Sequence, residues 1–388
     1  KIRGLRENIM VAAQMKKKSK TNKSITFDVL FLFIISFLCV SLAHAQAKQT
    51  VTAIYIPLAD HYAGIVAYEK YRDKMVHADY RIKRMKSWPL LRARFMSGEV
   101  DMAYIICPLA MDMFRERPGF RWVSLMHRDG NALAINDLLN TDVKLPGERA
   151  LRLPDKKVAE AYSKAKRKLG RPTECGVPHL QATHTVVLYK YLKDHGKTLG
   201  LDSGADKDVI AIEVPPPKSP SFIKKKNSRA IPASFEQSLP WADVVETEGF
   251  GHVAWYSRDV MKWPPHGHVE CIAIATDVCI EKKRDALKEV IQYIHQAGRD
   301  IEAAREKGQA SMAAIADMIR KHIPEHNEQA IIQSLRLDLN VINYRHLNID
   351  KAGLKHIMDL AVEGGILKKP IDIDAFADES FDTKITSQ

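Results

Sequence analysis

From Thr50 to Ile106 the chain alternates strand and helix without a break, and that alternation limits the fold more than any other feature of the sequence. Thr50 to Pro57, TVTAIYIP, is β-branched and apolar and predicts a strand ended by Pro57. Ile65 to Lys74 predicts a helix, and the alternating residues Tyr80 to Met85 a second strand. Ser87-Trp88-Pro89 then opens a helix: Ser87 suits the N-cap, Pro89 the first turn, and Gly98 the position just past the end. Val100 to Ile106, VDMAYII, reads as a strand of the buried type. A β-α-β-α-β order calls for a parallel sheet with crossover helices, and in such sheets ligands sit beyond the carboxyl ends of the strands. Those ends are Pro57-Leu58-Ala59-Asp60-His61, the Ser87-Trp88 junction and Cys107-Pro108-Leu109.

Further along, Trp122 to Met126 and Ala132 to Ile135 flank His127-Arg128-Asp129-Gly130-Asn131, which predicts two strands around a tight polar turn. Helices are expected over Lys156 to Lys168 and over Thr183 to His195, the latter stopped by Gly196. Val209 to Val214, His252 to Tyr256 and Glu270 to Thr276 read as strands, the last returning to the first sheet. From Lys283 onward the pattern is helical, with helices over Lys283 to Arg305, Ala310 to His322, Asn327 to Leu335 and Lys351 to Val362. Residues 136–255 are thus inserted between two parts of one α/β unit. The expectation is an α/β protein of two lobes, residues 46–135 plus 256–388 with a C-terminal helical extension, and residues 136–255. Two crossings between lobes make a hinge.

The first 45 residues read as an export leader. Lys16-Lys17-Lys18-Ser19-Lys20 is a basic start after Met10 or Met15, Val29 to Leu42 is a 14-residue apolar run, and Ala43-His44-Ala45 is a small-x-small cleavage site. A spanning helix needs about 20 apolar residues, so export with cleavage near Ala45 is favoured over a retained anchor. Loss of residues 1–45 removes eight Lys/Arg and two Asp/Glu, which lowers the formal net charge from +12 to +6. A mild positive excess suits an anionic solute, and no nucleic-acid motif accompanies it. Cys107, Cys175, Cys271 and Cys279 remain in the mature part, and spacing does not choose among their pairings.

In order and spacing the sequence resembles the NMT1-like periplasmic substrate-binding proteins of nitrate, bicarbonate and sulfonate ABC transporters. The resemblance rests on Tyr55-Ile56-Pro57-Leu58, Ser87-Trp88, Ser97-Gly98-Glu99-Val100-Asp101-Met102-Ala103, and His127-Arg128-Asp129-Gly130-Asn131-Ala132. It continues through Ala182-Thr183-His184, Pro240-Trp241, Gly249 to Val253 and Ile280-Glu281-Lys282. It implies a type II periplasmic-binding fold, an ABC permease as partner, a small anion or organic acid as ligand, and a monomer in the periplasm. It also implies that Trp88 covers the ligand from the first lobe, that Thr183 and His184 hold it at a helix start in the second, and that Trp241 is a further contact. Two runs depart from the family pattern. Gln237-Ser238-Leu239-Pro240-Trp241 lacks an acidic neighbour at the usual place, and Trp263-Pro264-Pro265-His266-Gly267-His268-Val269-Glu270-Cys271 has Glu270 where a cysteine is usual.

The candidate ligand-binding residues are therefore Trp88, Asp60, His61, Cys107, Thr183, His184, Trp241 and His266. If residues 266–270 run as a strand, His266, His268 and Glu270 share a face, and with Cys271 they are candidate metal ligands. No cofactor is otherwise expected. The chain has no Gly-x-Ser-x-Gly, no phosphate-cradling loop and no paired catalytic carboxylates, so no enzyme is expected. The alternatives are a pyrimidine-synthesising enzyme on the same fold, for which the cysteine-rich iron motif is missing, and a metal-binding or sensor module using residues 266–271.

Overall fold

A computed structural model describes residues 47–383; the expected leader lies outside them. The opening alternation folds as its pattern predicts. β1 (Gln49–Tyr55), β2 (Ala78–Arg84) and β3 (Met102–Ile106) run parallel, joined by the helices Tyr62–Tyr71 and Trp88–Met96. Neither face of this sheet is left to water along β3, whose five residues are all buried. β4 (Phe120–Leu125) and β12 (Cys271–Thr276) complete the sheet, in the order β2-β1-β3-β12-β4, with β12 antiparallel to both neighbours.

A second sheet has the order β11-β6-β10-β7-β9-β8. Its strands are β6 (Asn131–Ile135), β7 (Thr173–Val177), β8 (Leu199–Leu201), β9 (Val209–Glu213), β10 (Ala233–Ser238) and β11 (His252–Tyr256). The chain crosses between sheets twice, over residues 126–130 and 257–270. This moves one strand relative to the sequence expectation. Asn131–Ile135, placed there in the first lobe, pairs with β10 and β11 in the second sheet. The strands on either side of Asp129-Gly130 do not pair with each other. Both residues of that turn do adopt positive φ, 58° and 95°. The turn is instead held by a short pairing of β5 (Arg128–Asp129) with β13 (Ile342–Asn343).

The C-terminal helices brace the first sheet. Arg284–Lys307 buries Ala286, Leu287, Val290, Ile291, Ile294, Ala297 and Ile301 along one stripe, the spacing an amphipathic helix requires. On that stripe Glu289 accepts the N–H groups of Val76 and His77, each at 2.7 Å, and of Ala78 at 2.9 Å, so it closes the entry to β2. Arg305, fully buried, donates to both oxygens of Glu302 at 2.9 Å and to the carbonyls of Leu335 (2.8 Å) and Ile342 (2.9 Å). Glu302 also accepts from the Tyr344 N–H, and the Tyr344 hydroxyl donates to Ala59 O at 2.8 Å. One ion pair thus ties the long helix to the chain end and, through Tyr344, to the loop after β1. Among the described residues the four cysteines are free and buried, and no helix is long and apolar enough to cross a membrane.

Arg305→Met removes the buried counter-charge of Glu302 and leaves only the half-exposed Arg345, at 3.3 Å, and the expected destabilisation is about 3 kcal/mol. Chemical denaturation should show this loss, and the Glu302→Gln/Arg305→Met double variant should recover part of it.

Candidate functional site

The carboxyl ends of β1, β3 and β10 and the helix after β7 meet along one buried crevice where the two sheets are joined by side-chain contacts. β1 runs into a short turn, Ala59–His61, that buries Asp60 and His61 completely. β3 runs into the helix Cys107–Glu116, with Cys107 as its first residue and Pro108 in its first turn. His127 follows β4, and Glu270 precedes Cys271 at the start of β12. From the second sheet come Thr183 and His184, which open the helix Thr183–Asp194, and Asn131, Glu236 and Ser238 of β6 and β10. Glu236 and Ser238 are two apart on a strand and share a face, and Asn131 lies directly opposite Ser238. All of these side chains are buried.

Asp60 is the meeting point. Its Oδ2 accepts from the Ser238 hydroxyl at 2.7 Å and from the Cys271 thiol at 3.4 Å, and lies 3.6 Å from His127 Nε2. His127 Nε2 is also 3.1 Å from Glu270 Oε2. The Cβ that any other residue would place at Gly130 falls 2.9 Å from His127 Nδ1, so glycine lets the imidazole lie against its own turn. Other bonds join the two sides of the crevice. Ala59 N–H donates to Leu239 O at 2.7 Å, Trp241 Nε1 donates to Pro57 O at 3.0 Å, and Cys107 Sγ lies 3.5 Å from Thr183 Oγ1.

These distances constrain the protons. The single hydroxyl proton of Ser238 goes to Asp60, so His184 Nε2, 2.8 Å from Ser238 Oγ, must be the donor there. His184 Nδ1 then presents a lone pair to Glu270 Oε1 at 3.3 Å. An ionised Glu270 would set two acceptors against each other. Burial, reinforced by the Asp60 charge, pushes Glu270 up to about 7. Burial, helped by the charges of His127 and His268, lowers His184 to about 3, and burial with the charge of His127 carries His61 down to about 4, in both cases against Asp60. For His127 burial is overcome by Asp60 and Glu270, which raise it to about 10; it in turn holds Asp60 well below the usual carboxylate range against the opposing effect of burial. Glu236 is pushed well above the usual range, first by burial and then by the charges of Glu270 and Asp60.

Several buried polar atoms here have no hydrogen-bond partner: Asp60 Oδ1, His61 Nε2, His127 Nδ1, both oxygens of Glu236 and both polar atoms of the Asn131 amide. A buried polar atom without a partner costs about 1–3 kcal/mol, so these atoms call for water or a polar guest between them. Among the described residues no Lys or Arg pairs with Asp60, Glu236 or Glu270; the cationic partner of Asp60 and Glu270 is His127.

Of the residues singled out from the sequence, the structure brings Asp60, His61, Cys107, Thr183 and His184 to the crevice. Trp88 is buried edge-on against His61, with ring centroids 6.1 Å apart. Trp241 sits at a helix start and bonds across to Pro57. His266 does not join them. Residues 264–266 form a turn, Gly267 has φ 94°, and His266 is exposed against His346 with ring centroids 3.7 Å apart. The shared face expected for His266, His268 and Glu270 therefore does not exist. His268 is buried with both ring nitrogens bonded, to Val269 O and Ser257 Oγ. Glu270 and Cys271 instead group with Asp60 and His127. Four residues of the crevice escaped the sequence candidates: His127, Asn131, Glu236 and Ser238. His127 and Asn131 lie in the turn that the resemblance pointed to. An acidic residue, Glu236, lies three positions before Leu239 on the same strand end.

The chain can be set beside known proteins on this geometry. It is similar to the ligand-binding component of an ABC-type import system from Staphylococcus aureus, solved with zinc bound, at 18% identity and a TM-score of 0.65 over 86% of this chain and 98% of that one. It is similar to the periplasmic nitrate-binding protein NrtA from Synechocystis PCC 6803 at 16% identity and a TM-score of 0.69, over 86% and 87% of the two chains. The periplasmic aliphatic sulphonate-binding protein SsuA from Escherichia coli matches at 11% identity and a TM-score of 0.59, over 88% and 95%. At such identities the likeness establishes the periplasmic-binding-protein fold. No curated protein matches by sequence. Residues 44–317 match the model of the NMT1-like family, and over that span, which holds every residue of the crevice, the chain belongs to that family.

Proposed function

We propose that this protein is the exported solute-binding component of an ABC importer. It takes a small polar solute into the crevice and presents the closed form to a membrane permease. The observation that carries the reading is the group of buried, partnerless polar atoms where strand ends of two sheets meet. Each sheet with its helices forms one lobe, and residues 126–130 and 257–270 are the hinge. The bonds from Ser238 to Asp60, Ala59 to Leu239 and Trp241 to Pro57 are the contacts of the closed state. Export after cleavage near Ala45 and a monomeric state belong to the same reading, and no catalytic step is assigned to the crevice.

The solute's charge is set by the crevice rather than by the surface. A bare oxyanion would face the charge of Asp60, and among the described residues no Lys or Arg is paired to the crevice carboxyls; its protons would have to come from His127 and from neutral Glu236 and Glu270. A solute that brings positive charge or several hydrogen-bond donors satisfies those oxygens and the lone pairs of His61 and His184. The zinc-bound neighbour accords with this; the nitrate- and sulphonate-binding neighbours represent the anionic alternative.

Calorimetry and thermal shift on the mature protein test the proposal, using divalent cations, small ammonium compounds, nitrate, bicarbonate, taurine and alkanesulfonates. Binding of a cationic solute is expected, and no heat and no shift with any of them would contradict a solute-binding role. Ser238→Ala removes a bond across the crevice, and the expected weakening is about 5–30-fold, or 1–2 kcal/mol.

Glu236→Gln separates the two charge classes. Glu236 titrates higher folded than unfolded, so above its unfolded value it destabilises the fold as pH rises. The glutamine should raise the thermal midpoint of the solute-free protein by about 2–4 °C at pH 7.5, and by less at pH 4.5. It should weaken a cationic solute at least tenfold. Unchanged or tighter binding of an anion by this variant would favour the anionic alternative.

A further inference from the structure

We infer that Asp60, His127, Glu270 and Cys271 form a binding site for one divalent transition-metal ion of the zinc type. The inference rests on the crevice being the solute site and names the class of cation it takes.

Three observations support it. Each of the four residues offers one ligand atom, all four atoms lie within 4.8 Å of one another, and all four residues are buried. Three of the six separations also come close to those of ligands on one ion. His127 Nε2 to Glu270 Oε2 is 3.1 Å, Cys271 Sγ to Asp60 Oδ2 is 3.4 Å and His127 Nε2 to Asp60 Oδ2 is 3.6 Å. Bonds of about 2.0–2.3 Å arranged tetrahedrally put neighbouring ligand atoms about 3.3–3.7 Å apart. Finally, Asp60 Oδ1 and His127 Nδ1 have no hydrogen-bond partner, so no hydrogen bond to their far atoms holds these side chains away from an ion.

The donor set selects the metal. One nitrogen, two carboxylates and one sulfur suit zinc and its late first-row neighbours, whereas calcium and magnesium take oxygen. Three ionised ligands around a divalent ion, with His127 neutral, leave a single excess negative charge, which the hydrogen bonds around the site can tolerate. The metal would take over the place that the imidazolium proton of His127 fills between the two carboxylates, so binding releases protons. All four ligands come from the first sheet and its connections. Ser238 and His184 approach from the second, Ser238 donating to Asp60 and His184 bonded to Ser238. That is the outer support metal ligands require, and it makes lobe closure depend on the loaded site.

The test uses the mature protein after treatment with a chelator. Titration with Co2+ should saturate at one equivalent, with tetrahedral visible bands and a thiolate-to-cobalt charge-transfer band. Zn2+ should displace it one for one. Cys271→Ser should lose the charge-transfer band while Cys279→Ser keeps it, and His127→Gln should weaken binding at least 100-fold. X-ray absorption on the wild-type zinc form needs no variant to fold and should find one sulfur at about 2.3 Å. A charge-transfer band retained in folded Cys271→Ser, or a zinc shell without sulfur, overturns the assignment. If the metal-free protein binds one of the anions or ammonium compounds and takes up no metal, this inference falls and the importer reading stands. If nothing binds, both fall.

Discussion

Burying the Asp60 carboxylate is the constraint on which the rest of the crevice depends. An isolated ionised carboxylate cannot be taken out of water at tolerable cost, so every group near Asp60 answers it. His127 supplies charge, Ser238 supplies a hydroxyl proton, Cys271 a weak one, and the Tyr344 hydroxyl fixes Ala59 immediately before it. Because Ser238 belongs to the second sheet, the demand of a first-sheet carboxylate is met only when the two sheets come together. The same demand orders the protons of His184 and Glu270, through the one hydroxyl that Ser238 can donate.

The C-terminal segment has a role in this beyond filling the core. His326 bonds to the Tyr62 hydroxyl at 2.9 Å and packs edge-on against Trp241 with ring centroids 4.7 Å apart. Tyr344 is held by Glu302, which is held by Arg305. The loop after β1 is therefore braced from outside the sheet by an ion pair far along the chain. A rigid Asp60 loop lets the second sheet approach a fixed partner, which is the pre-organisation a closing site needs.

Much of the fold was legible in the sequence because its signals are local. Strand-helix alternation from Thr50 to Ile106 fixes a parallel sheet, and the ends of its strands point to Asp60, His61 and Cys107. The second half of the site was harder to read. β10, ASFEQS, has the composition of a loop, yet it lies between β6 and β7 with all six residues buried. Its polar residues are there to face the crevice, so the feature that makes the strand functional also hides it. His266 shows the opposite error: an alternation argument needs a strand, and the backbone at Pro264, Pro265 and Gly267 turns instead. The turn at Asp129-Gly130 has the local geometry its sequence predicts, but tertiary pairing sends the flanking strands to different sheets.

The account's central claim is that the two sheets close on a solute held at Asp60. Electron-spin distance measurements between labels at Leu90→Cys and Leu151→Cys test it most directly; both positions are exposed, one on each side of the crevice, and the native cysteines are buried. In the solute-free protein a broad or longer distance is predicted, collapsing to one shorter distance with saturating zinc, and failing to collapse in Asp60→Asn. A distance distribution unchanged by zinc and by every other solute tried would contradict the account.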